Sequence, residues 1–389
     1  MKKQPPVSCA NLSLLSVPIF WPMAAATKLL EAGVELNAKN AKFVREDVKI
    51  HNEMRPKLAT PNKVRLDLRT MVVREYGPPG GIPALVHAPF AGHSAMIADY
   101  QKGQSLVETL LSNGVKHVAL TDWKSATSDM KDFDIDNYLE EVVIAIDDLG
   151  GYVNLVGLCQ GGWAAAMVAA RFPDKVNSLV LAGAPLDTDA GDGPVKKMAH
   201  EYPMSFFEGL VALGGGLMRG EMMLQGWKNM NPLQHYFKDH IDLYEHVNDP
   251  AYVAKEETFA AWYENPIDLP GRWYLQVITQ LFKENRLAKG SFVALGRKLS
   301  LREIACPTTL LAGASDNVTT REQIIDAARY LGTPKNHIVL ETIPGGHVGL
   351  FMGHMALTEH WPRIARWMAE QRRREPQQQE IALASAPFP

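Results

Sequence analysis

Residues 152–172, YVNLVGLCQGGWAAAMVAARF, decide the fold of this chain. An apolar run is followed by Cys159 between two closely spaced glycines, and small residues then continue in a pattern typical of a helix. This pattern predicts a buried strand, a sharp turn and a helix that runs to about Phe172. Because Cys159 stands at the turn, the question is what a thiol does there.

The turn has the frame of a nucleophile elbow, Gly157-Leu158-Cys159-Gln160-Gly161. Side chains beside so tight a turn would clash, so the frame needs glycine on both sides of the nucleophile. The elbow exposes the thiol above the sheet and directs the backbone N–H of Gln160 to the place where an oxyanion would form. The dipole of the following helix favours a thiolate. The alternative is a buried, inert cysteine near a glycine turn.

The segments on either side of the elbow alternate between strand and helix patterns, which implies a mostly parallel sheet with helices on both faces. The predicted strands are 83–90 (running into a loop), 117–123, 152–158, 176–185, 306–316 and 337–344. The predicted helices are 94–113, 134–150, the one after Cys159, 321–331 and a last one near 357–374.

A different segment interrupts this alternation. Residues 187–290 are rich in aromatic residues and methionine and have helical periods without strand signals. A sheet interrupted in this way has the layout of a capped α/β-hydrolase, whose cap supplies walls of a substrate pocket. We therefore predict an α/β-hydrolase fold in the following parts: an N-terminal helical extension (1–60), a core (61–186 and 291–373), a helical cap insertion (187–290) and a disordered tail (374–389).

A nucleophile needs a base, and the base needs an acid that orients it. In this fold the order along the chain is nucleophile, acid, histidine. Asp316 ends a predicted strand and His347 follows the next one, so both are expected on loops at the carboxyl edge of the sheet. Asp187 is the other acid within reach. The predicted catalytic residues are Cys159, Asp316 and His347.

The loop after the first core strand supplies the other candidates of the site. The N–H groups of Phe90 and Ala91, in the motif APFAGH, are candidates for a second oxyanion donor. His93 in the same loop is a candidate for lining the pocket, and the alternative is an ordinary polar surface residue. Trp163 and Asp187 are the remaining candidates for contact with the substrate.

Composition excludes several classes of protein. The chain has 389 residues with a net charge of −3 and no long basic run in its body, which argues against a nucleic-acid partner. Three cysteines form neither a disulfide framework nor a metal-binding pair, and they fit a reducing cytoplasm. The sequence has no glycine-rich phosphate cradle and no metal-ligand cluster, so we predict neither a cofactor nor a metal.

The N-terminal stretch, residues 1–26, starts basic and turns apolar. Pro18 and Pro22 interrupt the apolar run, and no apolar stretch reaches membrane-spanning length. We expect a helix that packs on the body and no transmembrane segment. A secretion signal and a segment that lies on an apolar surface are the alternatives.

Over about residues 60–370 the chain resembles the polyhydroxyalkanoate synthases and the intracellular polyhydroxyalkanoate depolymerases. The motif GLCQGG with ARFPDKVNSLVLAGAPLD resembles the synthase box, whereas APFAGH, LTDWKSA, NMNPLQHY and LPGRWYLQVITQLFKENRLAKG resemble the depolymerases. The motif SDNVTTREQ also resembles the depolymerases, because synthases usually carry a histidine after the triad aspartate and this chain has Asn317. By motif match the resemblance implies a triad at Cys159, Asp316 and His347.

The resemblance implies that Cys159 takes a 3-hydroxyacyl group as a thioester. We predict a hydrolase that cleaves polyhydroxyalkanoate or related 3-hydroxyacyl esters and thioesters, with coenzyme A as a second candidate acceptor. The alternatives are a synthase that uses 3-hydroxyacyl-coenzyme A and a non-catalytic granule-associated protein. Dienelactone hydrolases share the cysteine frame, but they are small and lack a cap. The predicted location is the cytoplasm, with the surface of polymer granules and a second copy of the chain as candidate partners.

Overall fold

The elbow strand lies near the middle of an eight-stranded sheet in the computed structural model, which describes residues 33–52, 54–230 and 239–371. The strands of this sheet are β1 Lys63–Asp67, β2 Met71–Tyr76, β3 Ala84–His87, β4 Val118–Trp123, β5 Val153–Leu158, β6 Val176–Ala182, β7 Thr308–Gly313 and β8 Ile338–Ile343. Their order across the sheet is β1-β2-β4-β3-β5-β6-β7-β8. The pairs β1–β2 and β2–β4 are antiparallel, and the remaining neighbours are parallel. The predicted α/β class with a mostly parallel sheet is confirmed.

Burial explains why the central strands are continuous apolar runs in the sequence. Every residue of β5, β6 and β7 is buried, as expected for parallel strands that are covered on both faces. β5 pairs with β3 on one side and with β6 on the other. The residue that follows β5 is therefore flanked by the loops that follow two neighbouring parallel strands.

Helices connect the strands and form the segment between β6 and β7. They are α1 Gly33–Asn52, α2 Leu106–Ser112, α3 Ile135–Asp148, α4 Gln160–Arg171, α5 Pro194–Glu201, α6 Met204–Leu213, α7 Gly220–Met230, α8 Asp239–His246, α9 Pro250–Tyr263, α10 Gly271–Gln276, α11 Arg321–Ile325, α12 Gly349–Met352 and α13 Trp361–Glu370. A π-helix, Val277–Lys283, continues α10, and a second one, Ala356–His360, precedes α13.

Helix α3 matches its sequence pattern closely. Asp134 caps its N-terminus by accepting a hydrogen bond from the N–H of Asp136 at 3.1 Å. The apolar face predicted from the 3.6-residue period is buried, including Tyr138 and Val142. The helix thereby fixes Tyr138 against the loop that follows β3, where its ring stacks on Phe90 with centroids 4.6 Å apart.

The predicted helix at 94–113 is wrong in its first half. A 3₁₀ turn, Ala95–Ala98, leads into a short hairpin formed by Asp99–Gln101 and Gln104–Ser105, and only α2 is α-helical. The buried Asp99 carboxylate accepts hydrogen bonds from Ser105 Oγ and from the N–H and hydroxyl of Thr60. Such side-chain bonds offer an alternative to the helix. Gly103 at φ 75° makes the hairpin turn that they favour.

The antiparallel strands β1 and β2 are absent from the sequence-based prediction. They form the edge of the sheet, and β1 keeps much of its surface exposed. An edge strand needs no continuous apolar run, so its sequence resembles a polar loop. The pairing of β2 with β4 supplies the constraint that the local sequence lacks.

Among the described residues, the segment between β6 and β7 is mainly helical, and the assignment of residues 187–290 as a cap stays a prediction. The expectation that it has no strand is wrong at two short segments, Leu217–Met218 and Leu269–Pro270, which pair antiparallel. Two paired residues form too short a pattern to recognise, because the pairing joins positions about fifty residues apart.

The described residues divide into two compact units, one with residues 33–52, 54 and 239–257 and the other with residues 55–230 and 258–371. In the first unit, the ring of Tyr244 packs edge-on against Phe43 and its hydroxyl donates to Asn40 Oδ1 at 3.0 Å. The second unit contains the whole eight-stranded sheet. Among the described residues, no helix combines the length and apolarity needed to cross a membrane. The predicted tail, 374–389, lies outside the described residues.

Candidate active site

Cys159 occupies the sharp turn between β5 and α4. Its backbone lies at φ 51° and ψ −121°, in a region that residues other than glycine rarely adopt. Two hydrogen bonds hold it there: the N–H of Cys159 donates to Ala182 O at 2.8 Å, and its carbonyl accepts from the N–H of Gly162 at 2.8 Å. A non-glycine residue in such a conformation is a sign of stored strain, which is concentrated at functional sites.

The glycines around Cys159 are required by sterics. A Cβ atom on Gly157 would lie 2.6 Å from Gly162 Cα, and one on Gly161 would lie 2.2 Å from the carbonyl oxygen of His87. A Cβ atom on Gly162 would lie 2.3 Å from Ala184 Cβ. Real Cβ contacts are not so short, so the close approach of α4 to β3 and β5 depends on these three glycines.

Asp316 and His347 lie on the loops that follow β7 and β8, and they are hydrogen-bonded to each other. His347 Nδ1 is 2.7 Å from Asp316 Oδ2. The other carboxylate oxygen, Oδ1, accepts the backbone N–H groups of Val318 and Thr319, each at 2.9 Å. The Asp316 side chain is fully buried, and both of its oxygens accept hydrogen bonds. This arrangement fixes the orientation of the imidazole.

The second neighbour of the His347 ring is Cys159. Burial alone would lower the pKa of His347, but the electrostatic interaction with Cys159 and the hydrogen bond to Asp316 raise it to about 10. The other ring nitrogen, Nε2, is buried and makes no hydrogen bond within the described residues. The structure therefore brings Cys159, His347 and Asp316 together, and their role as a catalytic triad stays a prediction.

The three predicted oxyanion donors all have available N–H groups. Gln160 is the first residue of α4, where an N–H has no partner within its own helix. Within residues 54–230 and 239–371, the N–H groups of Phe90 and Ala91 make no hydrogen bond either. The same loop is held through its carbonyls, because Gly92 O accepts the N–H of Ile267 at 2.7 Å. Their role as oxyanion donors stays a prediction.

His93 and Asp187 lie in environments that differ from those expected. His93 is buried, stacks on the ring of Tyr263 at 5.3 Å, and places Nε2 3.0 Å from the carbonyl oxygen of Tyr263. Burial lowers its pKa to about 4, so the ring is neutral at physiological pH. The alternative of an exposed polar residue is wrong, because aromatic side chains cover this loop.

The carboxylate of Asp187 accepts hydrogen bonds from three side chains. Oδ1 accepts from Asn285 Nδ2 at 2.7 Å, and Oδ2 accepts from Arg329 at 3.0 Å and from Tyr330 Oη at 2.8 Å. Burial raises the pKa of Asp187, but these three donors outweigh it and lower the pKa overall. The side chain therefore ties the chain just after β6 to distant segments, and each of its oxygens already accepts a hydrogen bond.

Trp163 lines a small cavity beside the elbow, and most of the other lining residues were not identified from the sequence. They include His87, Trp123, Tyr138 and Trp273. His87 and Trp123 are the last residues of β3 and β4. Their positions at strand ends are the sequence signal that could have identified them as site residues. Burial lowers the pKa of His87 to about 3, and the neutral ring lies 3.3 Å from Thr121 Oγ1.

These features define a class of protein: an α/β-hydrolase fold whose nucleophile elbow carries cysteine. The solved structure of a monoacylglycerol lipase from Paleococcus ferrophilus agrees with this fold, with a TM-score of 0.51 at 16% identity over 78% of this chain and 100% of that one. The family model described as "Protein of unknown function (DUF3141)" matches residues 79–343, about two thirds of the chain. The chain belongs to that family.

The chain is also related to the PhaC subunits of poly(3-hydroxyalkanoate) polymerases, as the sequence motifs predict. It is 28% identical over 299 residues to the protein of Haloferax mediterranei, an alignment that covers 74% of this chain and 57% of that protein. It is 26% identical over 316 residues to the protein of Allochromatium vinosum, covering 77% of this chain and 86% of that protein. The predicted relationship to this group is confirmed.

Proposed function

We propose that the chain is an acyltransferase that accepts 3-hydroxyacyl thioesters through Cys159, His347 and Asp316. The observation that carries the proposal is the strained elbow cysteine in electrostatic contact with a histidine that is bonded to a buried aspartate. A buried cysteine with only a structural role would need neither the strain nor the oriented imidazole.

The proposed reaction has two steps. The Cys159 thiolate attacks the thioester carbonyl, and the N–H groups of Gln160 and of Phe90 or Ala91 stabilise the oxyanion. The tetrahedral intermediate collapses to acyl-cysteine, and His347 gives its proton to the leaving thiolate of coenzyme A. His347 then removes a proton from the incoming acceptor, which attacks the acyl-cysteine and regenerates the thiolate.

The acceptor decides between the two leading functions. A chain-end hydroxyl as acceptor extends a polymer, whereas water releases a hydroxyacid. The relatives of known name are polymerase subunits, so we place the transfer from 3-hydroxyacyl-coenzyme A first and the hydrolytic, depolymerase-type reaction second. A thiol nucleophile supports this order, because exchange between two thioesters is nearly balanced in free energy.

The test uses the full chain with two substrates. With 3-hydroxybutyryl-coenzyme A, we expect release of free coenzyme A together with insoluble polymer. With amorphous polyhydroxybutyrate, soluble hydroxyacid or oligomer would instead support the hydrolytic reaction. No turnover of either substrate, from protein whose Cys159 still reacts with a thiol probe, would contradict both functions and favour the non-catalytic granule-associated protein.

A matched pair of variants tests the nucleophile itself. Cys159→Ala should reduce coenzyme A release by about a thousandfold or more, because covalent catalysis is lost. Cys306→Ala removes another buried cysteine, just before β7, and should retain the activity. Equal activity of the two variants would overturn the assignment of Cys159.

Three further features belong to the same proposal. Residues 187–290 would act as the cap that walls the acyl site, and the protein would work in the cytoplasm at a granule surface. A homodimer is the proposed assembly. Light scattering of the purified chain tests the dimer, and co-sedimentation with polyhydroxybutyrate granules tests the surface contact.

A further inference from the structure

A small cavity lies directly beside the elbow. Its volume is about 20 Å³, which is room for one water-sized group. Gln160 and Gly161 form the wall on the side of the elbow. Five aromatic side chains form half of the remaining lining residues, namely Phe90, Trp123, Tyr138, Trp163 and Trp273.

Three of the lining residues carry a buried polar atom without a partner. Tyr138 Oη, Trp163 Nε1 and Gln160 Oε1 are all shielded from solvent, and none of them makes a hydrogen bond within the described part of the chain. Tyr138 is 5% exposed and Trp163 is 2% exposed. Buried polar atoms in proteins almost always have a partner. Three residues that line the same cavity each carry such an atom, which supports a site for a polar guest.

The identities of these atoms define the guest. The indole N–H of Trp163 can only donate, and Gln160 Oε1 can only accept. Burial raises the pKa of Tyr138, so its phenol stays protonated and can donate. A hydroxyl group satisfies all three, because it accepts from Trp163 and Tyr138 and donates to Gln160. An alkyl group would leave the three atoms unpaired, and a carboxylate has no proton for Gln160 and is too large.

We propose that this cavity is a subsite for the hydroxyl group of the acyl substrate, next to the oxyanion donors. The assignment rests on the proposed acyl transfer at Cys159. Gln160 and Phe90 supply both a wall of the cavity and a candidate oxyanion N–H. A hydroxyl held there lies within a few bonds of the acyl carbonyl, as in a 3-hydroxyacyl group.

The kinetic test compares two thioesters that differ only in this hydroxyl. For 3-hydroxybutyryl- and butyryl-coenzyme A, we expect the wild-type chain to favour the hydroxyacyl substrate by about tenfold or more in kcat/KM. Tyr138→Phe and Trp163→Phe each remove one donor, and each should reduce that ratio by about tenfold. Tyr152→Phe is the matched control, because its hydroxyl donates to Asn177 Oδ1 at 3.0 Å at the start of β5.

An unchanged ratio in both variants would overturn the subsite. An equal loss of activity on both thioesters would also overturn it, because it would mean that the cavity holds only a structural water. The control variant should keep the wild-type ratio.

A binding measurement separates the failure of this subsite from the failure of the proposed reaction. In Cys159→Ala, tryptophan fluorescence should report about tenfold tighter binding of 3-hydroxybutyrate than of butyrate, since three tryptophans line the cavity. Adding Tyr138→Phe should remove the difference. If the thioesters are not turned over but this selectivity is found, only the proposed reaction fails. If binding shows no selectivity, the subsite is wrong whatever the enzyme does.

Discussion

The strain at Cys159 predicts that glycine at this position gives a more stable protein than alanine, the reverse of the usual order. The residue lies at φ 51° and ψ −121°, and such a conformation costs a non-glycine residue about 1–3 kcal/mol. Glycine avoids that strain but loses about 0.5–1 kcal/mol through the greater freedom of the unfolded chain. We therefore expect Cys159→Gly to be more stable than Cys159→Ala, by up to about 2.5 kcal/mol. Both variants lack the sulfur, so its contact with His347 cancels from the comparison.

Urea unfolding of the two variants measures this difference directly, as a shift of the midpoint at a constant slope. Ala165→Gly, inside α4, is the control, and it should lose about 1 kcal/mol or more because glycine weakens an ordinary buried helix. If Cys159→Ala proved more stable than Cys159→Gly, the elbow would not be strained. Strain at this site would then no longer support a functional role for Cys159.

Three further predictions concern the same site. Asp316→Asn replaces the acceptor of the His347 Nδ1 proton, so kcat should fall by about 10³–10⁴-fold, measured as coenzyme A release, and full activity would contradict the triad. The pKa of His347 is raised from 6.5 to about 10, so its protonated ring stabilises the fold fully below about pH 6.5, and the contribution is lost as the pH rises through about 10. The difference in unfolding free energy between wild type and His347→Gln should shrink over that range, and a constant difference would contradict the ion pair. Gly161→Ala places a Cβ atom 2.2 Å from a carbonyl oxygen and should lower the free energy of unfolding by about 3 kcal/mol. In the control, Gly209→Ala in α6, the added Cβ atom meets no atom within 4 Å, and the free energy of unfolding should rise by about 0.5–1 kcal/mol in the same assay.

The parts of the fold that the sequence predicts are those in which the cause is local. The elbow needs glycines at fixed offsets from Cys159, and the central strands need buried apolar runs, so both can be recognised within about ten residues. The positions of Asp316 and His347 follow from the order of strand ends in a parallel sheet. The geometry places them together as that order predicts.

The features that were missed depend on contacts between distant segments. The hairpin at 99–105 is fixed by bonds from Asp99 to Thr60, which lies 39 residues away in the chain. The hydrogen-bond partners of Asp187 lie 98 to 143 residues further along the chain, and the sequence near Asp187 does not predict them. The cavity beside the elbow likewise draws its wall from residues on five different elements, β3, β4, α3, α4 and α10. Short periodic patterns in the sequence carry no information about contacts between such distant segments.

The way in which Asp316 is held bears on how this family can diverge. One oxygen serves His347, while the other is anchored by two main-chain amides, at Val318 and Thr319, rather than by side chains. Selection on the acid therefore constrains the path of the backbone and excludes proline at those two positions, but it leaves the chemical identity of residue 317 open. A substitution of Asn317 would therefore leave all three hydrogen bonds of Asp316 in place, because none of them involves the side chain of residue 317.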